Sequence, residues 1–291
     1  MTKDQNRVAL LRPIWAELEK FHIITYFVKE CRDAYKSLGV KSAWTRYFAG
    51  RAAPMGQVTY ETIVATFYNF SPALVREHAS SVWEVTGPES FIAKRFEGAD
   101  TALQRLLGAS VNSREMLSLT HLLDDVALRG SMEGKPLYAA NCGISVPDES
   151  HLKLFHTATL IREHKGDVHN SVLLGTEVSG LQAHILLSSV GHMSRENVLS
   201  SRGWSEQQWI ENQSVLQSRG LLHEDGQLSD DGLRLRVTIE DKTERLAARL
   251  WENLGDEQLL DIQESLNTLT SQLTSTKELP NLTPTYQELI Q

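Results

Sequence analysis

Two cysteines, Cys31 and Cys142, are all that the 291-residue sequence contains. They lie far apart and match neither a zinc-binding spacing nor a disulfide framework, so both are expected as small buried apolar groups. Positive charge is also short: 29 Lys and Arg stand against 37 Asp and Glu, a net charge of -8. That balance gives no general attraction to nucleic acid or an anionic membrane and leaves any such binding to a local patch. No apolar run approaches the ~20 residues of a membrane-spanning helix, and the opening residues MTKDQNRVALLRPIW lack the apolar core of a signal peptide. A cytoplasmic protein without membrane contact is the expectation. A Gly-rich phosphate loop, a nucleophile elbow and a Cys/His zinc spacing are missing as well, which disfavours ordinary nucleotide-dependent chemistry.

What is present is the composition of a globular chain, 41% hydrophobic and 23% charged, long enough for two domains that each bury a core. The chain also resembles itself. Shifted by 134 positions, Phe21-His22 falls on Phe155-His156, Thr25 on Thr159, Glu30 on His164 and Asp33 on Asp167. With one or two inserted residues Leu38-Gly39 reaches Leu174-Gly175 and Met55 reaches Met193, and ALQRLLG at 102–108 corresponds to RLWENLG at 249–255. Order kept over most of both halves indicates duplication. The expected organisation is a first repeat over 1–135, a second over 136–274 and a tail over 275–291 that wraps the surface or frays.

Each half reads as mostly helical. In the second, SRENVLSSRG is a short helix and WSEQQWIENQSVLQSRGLL a turn and a longer helix with Ser205 as N-cap. HEDGQLSDDG carries two turn signals around an extended piece, and LRLRVTIEDKTERLAARLWENLG is a long amphipathic helix. Helix, turn, helix, acidic hairpin and long helix is the order of a winged helix. The segments SSRGWSEQQW, RGLLHEDGQLSDDG, IEDKTERLA, YFAGRAAPMGQVTYETIVATFYNFSPALV and REHKGDVH resemble a family of tandem helix-turn-helix proteins found mainly in actinobacteria, distantly related to MarR-type regulators. The resemblance spans nearly the whole chain. It implies a mainly α protein of internally duplicated winged-helix-like domains, a pseudo-dimer on one chain that works as a monomer, with a ligand cavity between the halves.

DNA binding is possible on that resemblance but not favoured by the residues. A winged helix steadies its reading helix with Lys and Arg on phosphate, whereas the hairpin holds Glu224, Asp225, Asp230 and Asp231 and no Lys or Arg. Arg46 and Arg51 precede the aromatic run Phe67, Tyr68 and Phe70, which either meets a ligand or faces the core.

The stretch FHTATLIREHKGDVHN, 155–170, concentrates the titratable groups. On one helical face lie His22, Tyr26, Glu30 and Asp33, and on its counterpart His156, Leu160, His164 and Asp167. Three readings are open if these faces meet. One is a structural network of ion pairs and backbone-bonded histidines. A second is a metal site of Glu30, Asp33, His164 and Asp167, suited to zinc, manganese or iron as a divalent cofactor. The third is a pocket for an organic small-molecule ligand lined by His22, Tyr26, Arg51, Phe67 and His156, with His164 or His169 as acid or base and Glu163 or Asp167 orienting it. Arg162 and Lys165 would counter an anionic ligand, and Gly166 would loosen the helix. The expected function is small-molecule or metal binding in a polar His/Glu/Asp cavity between the halves, with catalysis left open. The alternative is a ligand-responsive MarR-like regulator.

Overall fold

The computed structural model describes residues 3–280; of the expected tail, residues 281–291 lie outside the described residues. The described chain is helical almost throughout. Its helices are α1 (Lys3–Phe27), α2 (Lys29–Lys36), α3 (Ala43–Ala52), α4 (Tyr60–Phe67), α5 (Pro72–Ala79), α6 (Val82–Val85), α7 (Pro88–Leu107), α8 (Arg114–Ala127), α9 (Pro136–Cys142), α10 (Ser150–Gly175), α11 (Gly180–Ser188), α12 (Arg195–Arg202), α13 (Glu206–Ser218), α14 (Asp230–Ala247) and α15 (Asp256–Ser275). Short 3-10 turns follow α3, α7 and α14. Among the described residues the acidic hairpin is reduced to one antiparallel bridge, Leu222 with Leu228.

Two long helices make the centre. In α1 the apolar residues Leu11, Ile14, Trp15, Leu18, Phe21 and Ile24 recur at helical spacing, and in α10 Leu152, Phe155, Ala158, Leu160 and Ile161 fill the same core. Both helices are buried on most sides, so their polar residues must find partners inside the protein. α1 packs on α10 and α15, while α10 packs on α8, α9 and α14. Two lateral modules flank this centre. One gathers Phe48, Ile63, Phe67, Phe70 and Val75 from α3, α4, α5 and the turn between the last two. The other gathers Leu181, Ile185, Val198, Trp209, Leu216 and Ile239 from α11 to α14.

The short helices start where a hydroxyl supplies the missing acceptor. Ser42, Thr59, Ser71, Ser179, Ser194 and Ser205 each take a backbone N–H of the first turn, which satisfies an otherwise orphaned donor. Ser205, the expected cap, is joined by Gln208 in a capping box. Two sequence expectations are corrected here. Val28 is extended (φ -78°, ψ 144°) and separates α1 from α2, so His22, Tyr26, Glu30 and Asp33 do not share one continuous helical face. Gly166 does not loosen α10, which runs unbroken through it, because the packing of its neighbours holds the backbone helical.

The modules meet through their turns. The Ser71 N–H donates to the Arg202 carbonyl at 2.9 Å, the Trp204 indole N–H to the Asn69 carbonyl at 3.1 Å and the Tyr68 hydroxyl to the Val178 carbonyl at 2.8 Å. Gly180 sits in this contact: a Cβ there would lie 2.2 Å from the Tyr68 carbonyl oxygen. Gly180→Ala is therefore expected to force the modules apart and cost about 1–3 kcal/mol, read as a lower urea midpoint. An unchanged midpoint would mean that the turns do not touch this closely in solution. No helix among the described residues is long and apolar enough to cross a membrane.

Candidate functional site

The polar residues of α10 divide between two compartments. On the side of α1, α3, α7 and α9, Arg51 from α3 grips Glu163 with two parallel bonds, Nε to Oε1 and Nη2 to Oε2, each 2.8 Å. Arg162 adds a third at 2.8 Å to Oε2 and lies 3.9 Å from Glu19. Glu163 and Glu19 are buried. Burial pushes the Glu163 carboxyl up, but the two guanidiniums outweigh it and hold the group well below the usual carboxylate range. Glu19 has no such pair of donors, and burial raises it. The Arg51 guanidinium also lies 4.3 Å over the Phe67 ring, a cation–π contact within a closed site.

Beside this pair His22, Thr25, Tyr26, Tyr35, Gly50, Arg95, Asn141 and Thr159 enclose a chamber of about 10 Å³, room for a single water-sized occupant. The Thr159 hydroxyl donates to the Phe155 carbonyl at 3.1 Å, so its oxygen accepts from His22 Nδ1, also at 3.1 Å. That assignment leaves His22 Nε2 as a bare acceptor, and it has no partner. Arg95 donates to the Asn141 side chain at 3.3 Å, while its Nε and Nη2 have no partner. His156 donates from Nε2 to the Asn141 carbonyl at 3.1 Å, and its ring lies tilted against Phe96. Burial lowers His22 well below its ordinary value and His156 to about 3.

The second compartment opens on the other side of α10. A groove of about 400 Å³ runs between the 129–135 loop, α10 and the end of α14, and His164 lines it with Arg129, Lys135 and Arg249. The His164 ring meets Tyr138 edge-on at 5.0 Å, and its Nδ1 has no partner. Gly130 lets the loop lie on this pair, since a Cβ there would come within 2.7 Å of the Tyr138 hydroxyl and 3.0 Å of the His164 ring. Burial, then the charge of Lys135, lowers His164 to about 4. One helical turn on, Asp167 accepts the Tyr138 N–H at 2.9 Å, covering the first turn of α9, and burial pushes its carboxyl up to about 7. His164 thus presents to the groove an imidazole that burial holds neutral, while Asp167, bonded to the Tyr138 N–H, is not among the residues that line it.

The structure brings some of the expected residues together and separates others. His22, Tyr26, Arg51 and Glu163 share the chamber. Phe67 serves as the floor under Arg51, and with Phe70 it belongs to the core, the second of the two alternatives for the aromatic run. His169 faces α14, hydrogen-bonded through Nδ1 to the Thr243 hydroxyl at 3.2 Å, and burial lowers it to about 4. Lys165 lies 3.9 Å over the Trp15 ring. The four metal candidates are not gathered. Glu30 bonds Arg105 at 2.5 and 3.1 Å, Asp33 bonds Lys29 and Lys36 at the surface, and His164 and Asp167 are buried against α9. The break at Val28 and the nearby cations account for this, and among the described residues no three His, Cys, Asp or Glu form a group able to hold a metal ion.

Arg95 and Asn141 were not anticipated from the sequence. A signal for Arg95 exists: it stands on the apolar stripe of α7 among the buried Phe91, Phe96, Ala99 and Ala102, where a charge demands a partner. Asn141 has no comparable local mark. Neither curated proteins nor solved structures give a match. The model of a helix-turn-helix family matches residues 11–280, nearly all of the described residues, and the chain belongs to that helix-turn-helix family.

Proposed function

We propose that the chain binds a small organic anion in the groove beside His164, on a frame of two winged-helix-like repeats arranged as a pseudo-dimer. The groove carries this reading. Its volume falls within the range typical of small-ligand sites, about 300–1,000 Å³, three cations, Arg129, Lys135 and Arg249, outnumber the two carboxylates of Glu133 and Glu252 in its lining, and the neutral His164 imidazole offers a hydrogen bond that depends on protonation. The duplicated frame is supported by order and packing. A long helical segment, a set of short helices (four from α3 to α6, three from α11 to α13), another long helix, a 3-10 turn and a last helix occur from α1 to α8 and again from α10 to α15. The central helices also pack crosswise, α1 on α15 and α10 on α8, as a pseudo-two-fold axis requires.

A ligand-responsive DNA reader is the alternative that family membership favours. Two observations weigh against it. α13, the second helix of the later helix-turn-helix, contains no Lys or Arg. The bond between Ser71 and Arg202 also keeps the starts of α5 and α13 within roughly 15 Å, whereas paired reading helices reach successive major grooves about 34 Å apart.

The test is a thermal-shift and calorimetric screen of mono- and dicarboxylates and phosphate monoesters. A binding compound is expected, and Arg249→Ala should weaken it at least about tenfold by removing a charge-assisted bond, with little change in the melting temperature of the unliganded protein because Arg249 is exposed. Binding unchanged when Arg129, Lys135 and Arg249 are all replaced by alanine would place the ligand elsewhere. Nanomolar, salt-sensitive binding to one duplex and not to random duplex would select the regulator instead.

A further inference from the structure

The chamber against α1 poses a separate problem from the groove. Arg95 is 5% exposed and has no carboxylate partner; its protein acceptor is the neutral side chain of Asn141. The carboxylates nearby are already engaged. Glu163 is taken by Arg51 and Arg162, and Glu19 lies beside Arg162 rather than Arg95. Three guanidiniums therefore stand around one firmly ionised carboxylate, Glu163, and a second, Glu19, that burial drives toward its neutral form. A guanidinium does not deprotonate in a protein, and an unpaired buried charge is costly. The Phe96 ring, 5.4 Å from the Arg95 guanidinium, compensates this charge only in part, which leaves a place for a further partner.

We propose that the chamber is a binding site for one small monovalent anion of halide size, held on the Nε–Nη2 edge of Arg95. Two observations fix the class. The two unpartnered nitrogens of Arg95 form one edge of a planar group and call for a single acceptor that carries charge. The chamber of about 10 Å³ has room for one compact occupant and none for acetate, phosphate or sulfate. A water molecule would fill the same space and could also donate to His22 Nε2, but it would leave the excess positive charge in place. The anion lies among α1, α3, α7, α9 and α10, so its binding ties helices from both halves of the chain.

The experiment compares melting temperatures of the full chain in sodium chloride, bromide, acetate and gluconate at equal ionic strength. Chloride and bromide should raise the melting temperature saturably, by about 4 °C at a hundredfold excess over Kd, and acetate and gluconate should not. In Arg95→Met the halide-specific rise should vanish. Because that variant removes a buried group and can fail to fold, crystals of the unaltered protein grown in bromide supply a second readout: an anomalous peak within hydrogen-bonding distance of Arg95 Nη2. A melting temperature that follows ionic strength alone, an equal response to acetate, or a chamber holding only water in the bromide crystal overturns the proposal.

Discussion

Glu163→Ala is expected to destabilise the protein by about 3–5 kcal/mol, because it strands buried guanidiniums without their carboxylate. For a chain of this length that corresponds to a fall in melting temperature of about 5–8 °C. Arg51 and Glu163 make two bonds of 2.8 Å with side chains that are 9% and 1% exposed, so neither group can recover its solvation when the other is removed. Arg51→Met should cost a similar amount. The double variant Arg51→Met/Glu163→Met should recover much of the loss, since two apolar side chains of similar volume need no partners and Arg162 retains Glu19 nearby. Urea unfolding of the four proteins gives the coupling directly. A melting temperature unchanged in Glu163→Ala would mean that water reaches the pair and that the chamber beside it is open.

Acid should weaken the fold well before ordinary carboxylates protonate. Burial lowers His22, His156, His164, His169 and His184 below the usual histidine value, the last four to about 3, 4, 4 and 3. Between those values and about 6.5 the unfolded chain binds protons that the folded chain refuses, so stability rises with pH there and is lost as pH falls through it. Asp167, raised to about 7 by burial, acts with the opposite sign. Between about 4 and 7 the folded chain holds a proton that the unfolded chain has released. Glu19 and Glu240, also raised by burial, act with the same sign as Asp167. The five histidines outnumber these carboxyls between pH ~6 and ~4.5, so the histidine sign prevails there. Urea midpoints at a series of pH values should fall steeply over that interval. They should fall more steeply in Asp167→Asn, which removes one opposing group. A flat profile from pH 7 to 5 would contradict the burial of these imidazoles.

Much of the local architecture is legible in the residues alone. The apolar spacing of α1, α10 and α14 marks helices because a helical face is a property of neighbouring residues. The caps at Ser205 and its counterparts are legible because a cap needs only a hydroxyl and the first turn that it serves. The likeness between 21–35 and 155–169 is a reason to set His22 and Tyr26 against α10, but Arg51 lies outside both stretches and Glu163 off the compared face, so their place in the chamber is not legible from it. Where that reading assumed a straight helix it failed: at Val28 tertiary packing outweighs the local pattern, and Glu30 and Asp33 turn to Arg105, Lys29 and Lys36.

What tertiary structure alone decided is the choice among partners. Glu163 has Arg162 beside it in sequence, yet its pair of parallel bonds comes from Arg51, 112 residues away; no periodicity encodes such a choice. Arg95 and Asn141 meet only because α7 and α9 both reach the centre. The groove of His164 exists because the 129–135 loop folds back over α10, where Gly130 permits the approach. The sequence by itself determined the helices, their apolar faces and the concentration of titratable groups on α10, since those follow from short-range spacing. Which of these groups are paired, which are stranded and where space remains depends on long-range contacts, and those are set only when the helices pack.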